Sequence, residues 1–257
     1  MKANDLFKLE RKVAVITGGG SGLGRQIAEA YAEMGATIIL CARNVDRCQQ
    51  TAQELSSLGV AAVGWSCDVT QEESVNDLIH RTIAEFGRID ILVNNSGLAW
   101  AGAPESLSLT DWKRVIDVNL NGVFLVAQAA GRRMIAQGGG SIVNIASIAG
   151  LIATPPEIAD TIAYSTSKAA VIHFTRDLAI RWARHGIRVN CIAPGWFSTR
   201  MSKRVLETRG SQILPQIPLG RFGGDDDLKG AAVFLGSSAS AYLTGQTIVV
   251  DGGLSLS

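Results

Sequence analysis

Seven short runs of apolar and β-branched residues recur along the chain, separated by longer stretches of helical pattern. They are Val13–Ile16, Thr37–Cys41, Val60–Trp65, Ile89–Val93, Ser141–Ile145, Ile187–Ile192 and Thr247–Val250. Strands that are apolar at consecutive positions are buried on both faces. Strands separated by helices cross over and run parallel. The intervening patterns predict helices over Gly22–Met34, 45–57, Glu72–Phe86, Thr110–Ala136 and Ala163–Ala183. Gly35, Gly59 and Gly87 stop the first three. This alternation predicts an α/β fold: one doubly wound domain over residues 1–257, with a parallel sheet covered on both sides.

No proline- or serine-rich linker divides the chain, and no repeat is visible. Residues 196–226 are the least regular stretch, with Pro215, Pro218 and several glycines. Such a segment inside a compact domain reads as a mobile lid over a ligand. Asp225, Asp226 and Asp227 follow it and are expected to open a helix. Hydrophobic residues make up 47% of the sequence and charged ones 18%, enough for a substantial core. The net charge of +1 gives no reason to expect nucleic acid or an anionic membrane as partner. Met1-Lys2-Ala3-Asn4-Asp5-Leu6 does not read as a hydrophobic signal segment, and no run reaches membrane-spanning length, so neither export nor a membrane span is expected. Cys41, Cys48, Cys67 and Cys191 form no Cys-x-x-Cys pair and read as reduced thiols of a cytoplasmic protein. His80, His173 and His185 have no metal-ligand spacing.

Two motifs carry chemistry. The first is Thr17-Gly18-Gly19-Gly20-Ser21-Gly22-Leu23-Gly24, which follows a strand and opens a helix. In that setting glycines let the backbone approach a pyrophosphate, and the helix N-terminus supplies free N–H groups. At the end of the second strand, a site for NAD places an acidic residue about 20 positions after the glycines. Here the sequence reads Cys41-Ala42-Arg43-Asn44, without a carboxylate. Arg43 suits a 2′-phosphate, so NADP(H) is favoured over NAD(H). The second motif is Tyr164-x-x-x-Lys168, with Asn119 and Ser147 upstream. A lysine one helical turn on shares the tyrosine's face. Its charge is expected to lower a phenol pKa that is ordinarily about 10, making an acid and base usable near neutrality.

With these motifs in this order, and with Asn94-Asn95-Ser96-Gly97 and Pro194-Gly195 between and after them, the chain resembles the short-chain dehydrogenase/reductase family from Lys12 to Gly253. The resemblance implies a Rossmann-type sheet of seven strands and a catalytic tetrad of Asn119, Ser147, Tyr164 and Lys168. It implies cofactor contacts from Gly18, Ser21, Gly22, Leu23 and Gly24, from Arg43 and Asn44, and from Asp68 and Val69 at the adenine. Further contacts are implied from Asn95, Gly97 and Ile145, and from Pro194, Gly195, Phe197 and Thr199 around the nicotinamide. It also implies a homodimer or homotetramer.

The chemistry so implied exchanges hydride between the cofactor and a small-molecule ketone or secondary alcohol. Tyr164 handles the proton, Ser147 holds the oxygen, Lys168 tunes Tyr164, and Asn119 anchors a water that resupplies protons. The chain resembles 3-oxoacyl thioester reductases and gluconate 5-dehydrogenase-like enzymes. Leu98, Ala99, Trp100, Ala101, Ile148, Ala149, Leu151, Trp196 and Phe197 give the substrate side an apolar reading. Arg200, Lys203 and Arg204 leave a sugar acid or polyol as the alternative. A cofactor-binding regulator without turnover is the remaining reading. The stretch between Ser147 and Tyr164 is longer than usual for the family, through Ile152–Asp160, and Ser96 stands where alanine is usual.

Overall fold

A computed structural model of the chain describes residues 2–256. The seven apolar runs become strands β1 (Val13–Thr17), β2 (Thr37–Ala42), β3 (Ala62–Ser66), β4 (Ile91–Asn94), β5 (Gly140–Ile145), β6 (Ile187–Pro194) and β7 (Thr247–Val250). They pair in one sheet in the order β3-β2-β1-β4-β5-β6-β7, every pair parallel. The helices are α1 (Gly22–Glu33), α2 (Val45–Ser56), α3 (Glu72–Phe86), α4 (Leu109–Ile116), α5 (Gly122–Ala136), α6 (Ile162–Trp182), α7 (Lys203–Ile213) and α8 (Lys229–Gly236).

Alternate strand residues point to opposite faces. Ile16, Ile38 and Val93 pack with Ile27 and Tyr31 of α1 and Leu235 of α8. Val15, Ile39 and Leu92 pack with Leu78 of α3, Met134 of α5 and Leu178 of α6. Each such buried aliphatic side chain contributes about 2 kcal/mol of transfer free energy, which is why the strands are apolar at most positions; Ser141, Asn144 and Asn190 are buried polar exceptions. The chain direction across the sheet reverses at β1, whose neighbours are β2 and β4. That reversal opens a crevice at the C-terminal ends of these strands. Among the described residues no helix is long and apolar enough to cross a membrane. All four cysteines are free and buried.

Three expectations change in detail. The helix expected over Thr110–Ala136 is interrupted by a π-helical turn at Asp117–Asn121, with Asn119 fully buried inside it. The Asn119 side chain bonds the backbone of Leu98, in a loop distant in sequence. Helical periodicity carries no trace of such a contact. The stretch 196–226 is not irregular throughout, since it holds α7. Gly210 and sparse apolar residues hide this helix in the sequence. In three dimensions Gly210 is buried against Phe222. The acidic run does not begin a helix, because α8 starts at Lys229. Asp225 instead accepts from Gln26 Nε2 at 3.0 Å, and Asp227 pairs with Arg221 and caps Gly224.

Candidate active site

The glycine cluster turns sharply from β1 into α1. Gly18 has φ +65°, a conformation that glycine adopts without steric cost. A Cβ on Gly24 would lie 2.4 Å from Asn95 Nδ2 and 2.5 Å from the Gly18 carbonyl, so the helix start packs directly on the loop. Asn95 holds this arrangement: its Nδ2 donates to the Thr17 and Gly18 carbonyls at 3.0 and 3.1 Å. The Thr17 hydroxyl in turn accepts from the backbone N–H groups of Asn95 and Ser96, both at 3.0 Å. Ser21 makes no side-chain capping bond at the start of α1, as is also true of α3 and α5 to α8, but here Gly22 and Leu23 line the crevice. The first N–H groups of α1 therefore face the crevice without a capping side chain, as an anion site requires.

The crevice is a cleft of about 520 Å³. Arg43, Asn44 and Arg47 line its outer end, with both arginines exposed. Asp68 sits on the same side. Burial raises its carboxyl, but the Thr70 N–H and hydroxyl and the nearby Arg43 charge outweigh this and hold it below the ordinary range. The residues present fit a phosphorylated dinucleotide: a cradle that excludes side chains, uncapped helix N–H groups, and two cations where the second strand ends.

Tyr164 and Lys168 occupy one face of α6, and Ser147 stands opposite them at the end of β5. The turn Ile148–Gly150 presses on α6 so closely that a Cβ on Gly150 would meet the Ala169 nitrogen at 2.6 Å. That contact brings Ser147 to Tyr164. Lys168 is 4% exposed, and its Nζ donates to the Ile145 carbonyl at 2.7 Å. The same Nζ lies 5.6 Å from the Tyr164 ring centroid. Asn119 uses its side chain on protein groups. Oδ1 accepts from Leu98 N–H at 2.7 Å, and Nδ2 donates to the Leu98 carbonyl and the Ser167 hydroxyl, both at 2.9 Å. Ser167 passes the link to the Tyr164 carbonyl at 2.6 Å.

Electrostatics in this pocket differ from the sequence expectation. Burial holds the Tyr164 phenol above its ordinary value, and the Ser147 hydroxyl pulls against this; Lys168 is not what sets it. Burial also brings the Lys168 ammonium down to about 8, opposed by interaction with Cys191. Lys168 aims its proton at a carbonyl, so its charge acts on Tyr164 from the side. At neutral pH the phenol is protonated and the lysine mostly charged, the state suited to giving a proton to a carbonyl oxygen.

The cleft gathers Gly18, Ser21, Gly22, Leu23, Arg43, Asn44, Asp68, Val69, Asn95, Gly97, Ile145, Ser147, Tyr164, Lys168, Pro194, Gly195, Phe197 and Thr199. Gly24 and Asn119 stand behind its wall and support it. Sequence reasoning passed over Arg47, whose signal is its position four residues after Arg43 at the start of a helix. It also passed over Ser167, which joins Asn119 to Tyr164 and carries no signal beyond its place in the motif.

A family profile described as "Enoyl-(Acyl carrier protein) reductase" matches residues 18–255. The D-threitol dehydrogenase of Mycolicibacterium smegmatis is 41% identical, over 97% of this chain and 95% of its own length. The 3-oxoacyl-[acyl-carrier-protein] reductase of Aquifex aeolicus is 39% identical, over 96% and 99%. The crystal structure of a gluconate 5-dehydrogenase from Burkholderia cenocepacia, in complex with NADP and tartrate, superposes with a TM-score of 0.94. That protein is 38% identical, with all of both chains covered. These relatives act, by name, on a polyol, a thioester and a sugar acid at nearly equal identity, so they agree on the reaction class and not on the substrate. Fold, cleft and relatives together make this chain a member of the short-chain dehydrogenase/reductase family of oxidoreductases.

Proposed function

We propose that the chain interconverts a ketone and a secondary alcohol with NADP(H), and that it serves chiefly as a reductase of a 3-oxoacyl thioester or similar apolar ketone. The observation that carries this is the lining of the cleft beyond Tyr164. Ala99, Ile148, Ala149, Ala159, Trp196, Met201 and Val205 make up most of it, with Thr154, Thr161 and Ser202 among them, and Arg200 is the one charged side chain among the described residues there. Arg43 and Arg47 support NADP(H): they lie where the 2′-phosphate of the adenine ribose would be met, and β2 ends without a carboxylate.

When bound, the cofactor supplies or accepts the hydride. The chain's own residues manage the oxygen and its proton. Tyr164 gives its phenolic proton to the carbonyl oxygen as charge develops, and Ser147 donates a hydrogen bond to the same oxygen and fixes its position. Lys168 stabilises the phenolate left behind and holds a ribose hydroxyl. Asn119 and Ser167 fix the backbone of the α6 turn that carries Tyr164. With the Asn119 amide N–H groups taken by Leu98 and Ser167, a proton-supplying water would be held by its backbone carbonyl.

Residues 196–226 act as a cover in this reading. Trp196, Met201 and Val205 face the cleft, while buried Gly210 and Ile213 pin the far end of α7. The reading includes a cytoplasmic homodimer or homotetramer. Exposed Phe124 on α5, Ile180 on α6 and Val249 on β7 support the assembly. Free, buried cysteines support the compartment.

A second reading, a sugar-acid or polyol dehydrogenase, rests on Arg200, whose guanidinium suits a carboxylate. The test is consumption of NADPH and NADH with acetoacetyl-CoA and 5-keto-gluconate in parallel. Faster NADPH loss with the thioester is expected. Turnover of the keto acid alone would establish the second reading.

A further inference from the structure

The cleft beyond Tyr164 opens between segments 98–107, 148–161 and 196–205. Met201, which lines it, is 51% exposed, and the residues next to its lining residues Ala99 and Ala149 include Trp100 at 39% exposure, Leu151 at 43% and Ile152 at 36%. Scattered exposed hydrophobics are ordinary, but several around one opening mark a binding groove. The edge is also built. The Gly102 N–H donates to the Asp160 carbonyl at 2.9 Å, tying the loop after β4 to the lengthened loop before α6. The Arg114 guanidinium lies 5.1 Å from the centroid of the Trp100 ring. Arg114 is itself anchored by Asp111 at 3.3 Å, and Asp111 accepts from the Ser108 hydroxyl at 2.7 Å. A chain of contacts from the cap of α4 thus holds the Trp100 indole next to Ala99, which lines the cleft.

A tryptophan held by a cation and left half open has its ring placed before any ligand arrives, so little conformational freedom is lost on binding. We propose that Trp100, with Leu151, Ile152 and Met201, is a recognition surface for a hydrocarbon arm of the substrate, and that Arg114 is a positioning residue for Trp100. The ketone carbon is reduced at Tyr164, and the arm runs outward across the rim. This rests on the active-site reading above and narrows the substrate to ketones bearing an apolar chain several carbons long. A polyol or sugar acid gains nothing from the apolar members of this rim and would turn instead to Arg200, which lines the cleft. Arg114 is engaged by Trp100 and Asp111.

The test is NADPH consumption with ethyl acetoacetate, ethyl 3-oxohexanoate and ethyl 3-oxooctanoate. In the unmodified enzyme kcat/KM rises with chain length, by roughly twofold to fourfold per added methylene, chiefly through KM. Trp100→Ala flattens this rise and leaves ethyl acetoacetate within about twofold, with NADPH affinity unchanged. Arg114→Ala acts in the same direction more weakly, and Arg114→Lys restores the chain-length response because an ammonium also attracts the ring face. A flat response in the unmodified enzyme overturns the proposal. So does an equal loss for all three esters in Trp100→Ala, or a change in oligomer size without a change in chain-length response. Failure of the active-site reading shows separately, as retained ketone turnover in Tyr164→Phe.

Discussion

At the cofactor end, β1, α1 and β2 meet in fixed parallel register, and Asn95 ties Thr17 and Gly18 into one cradle. At the substrate end, loops from β4, β5 and β6 meet across a cleft, and two of them are joined through Gly102 and Asp160. The first end is made of backbone groups whose geometry follows from where strands stop and helices start. The second is made of side chains on loops, whose positions depend on partners far away in sequence. In the proposed reading a cofactor common to many enzymes is bound by backbone geometry that comes with the fold, and the substrate by what the loops add to it.

The contrast breaks most sharply at Tyr164, which belongs to the substrate side in chemistry and to α6 in position. Tyr164→Phe removes the proton donor and lowers kcat about a thousandfold, while NADPH affinity measured by fluorescence titration stays as it was. Comparable losses in affinity would mean that the residue builds the cofactor site instead. At the other end, Gly24→Ala drives a methyl into Asn95 and the Gly18 carbonyl. The expected result is about 1–3 kcal/mol lost from stability, read by denaturant titration, together with weakened NADPH binding.

Arg43→Ala sharpens the comparison further. It raises the KM for NADPH about tenfold or more and leaves NADH unaffected, as loss of a charge-assisted contact to one phosphate requires. The pH response follows from Lys168. Its ammonium is charged below about 8 and neutral above, while the phenol of Tyr164 stays protonated through that range. Reductive kcat/KM is therefore level below about pH 8 and falls by about tenfold per unit above it. A profile rising through that window would point to Tyr164 working as a pre-formed phenolate.

The sequence made the cofactor end readable because its signals are local. Gly18 and Gly24 report close backbone approach, and Arg43 reports charge at a strand end. The four residues proposed as a tetrad were visible as residue identities but not as a network. Asn119 lies in a π-helical turn clamped to Leu98 and Ser167, and those contacts join positions 21 and 48 residues apart. The direction of the Tyr164 shift was misread for a related reason: burial is a property of the assembled pocket, and spacing on one helix does not contain it. Helix α7 escaped notice because Gly210 looks like a breaker until Phe222 packs on it. The brace of Arg114 on Trp100 likewise joins a loop to a helix face that no motif connects.

The most direct test of the account is the loss of reduced-cofactor absorbance when the purified chain is given acetoacetyl-CoA with NADPH or with NADH. The account predicts steady consumption of NADPH, at least about tenfold faster than of NADH, that vanishes in Tyr164→Phe. Binding of NADPH without consumption across acetoacetyl-CoA, the 3-oxo esters and 5-keto-gluconate would contradict it, as would a preference for NADH.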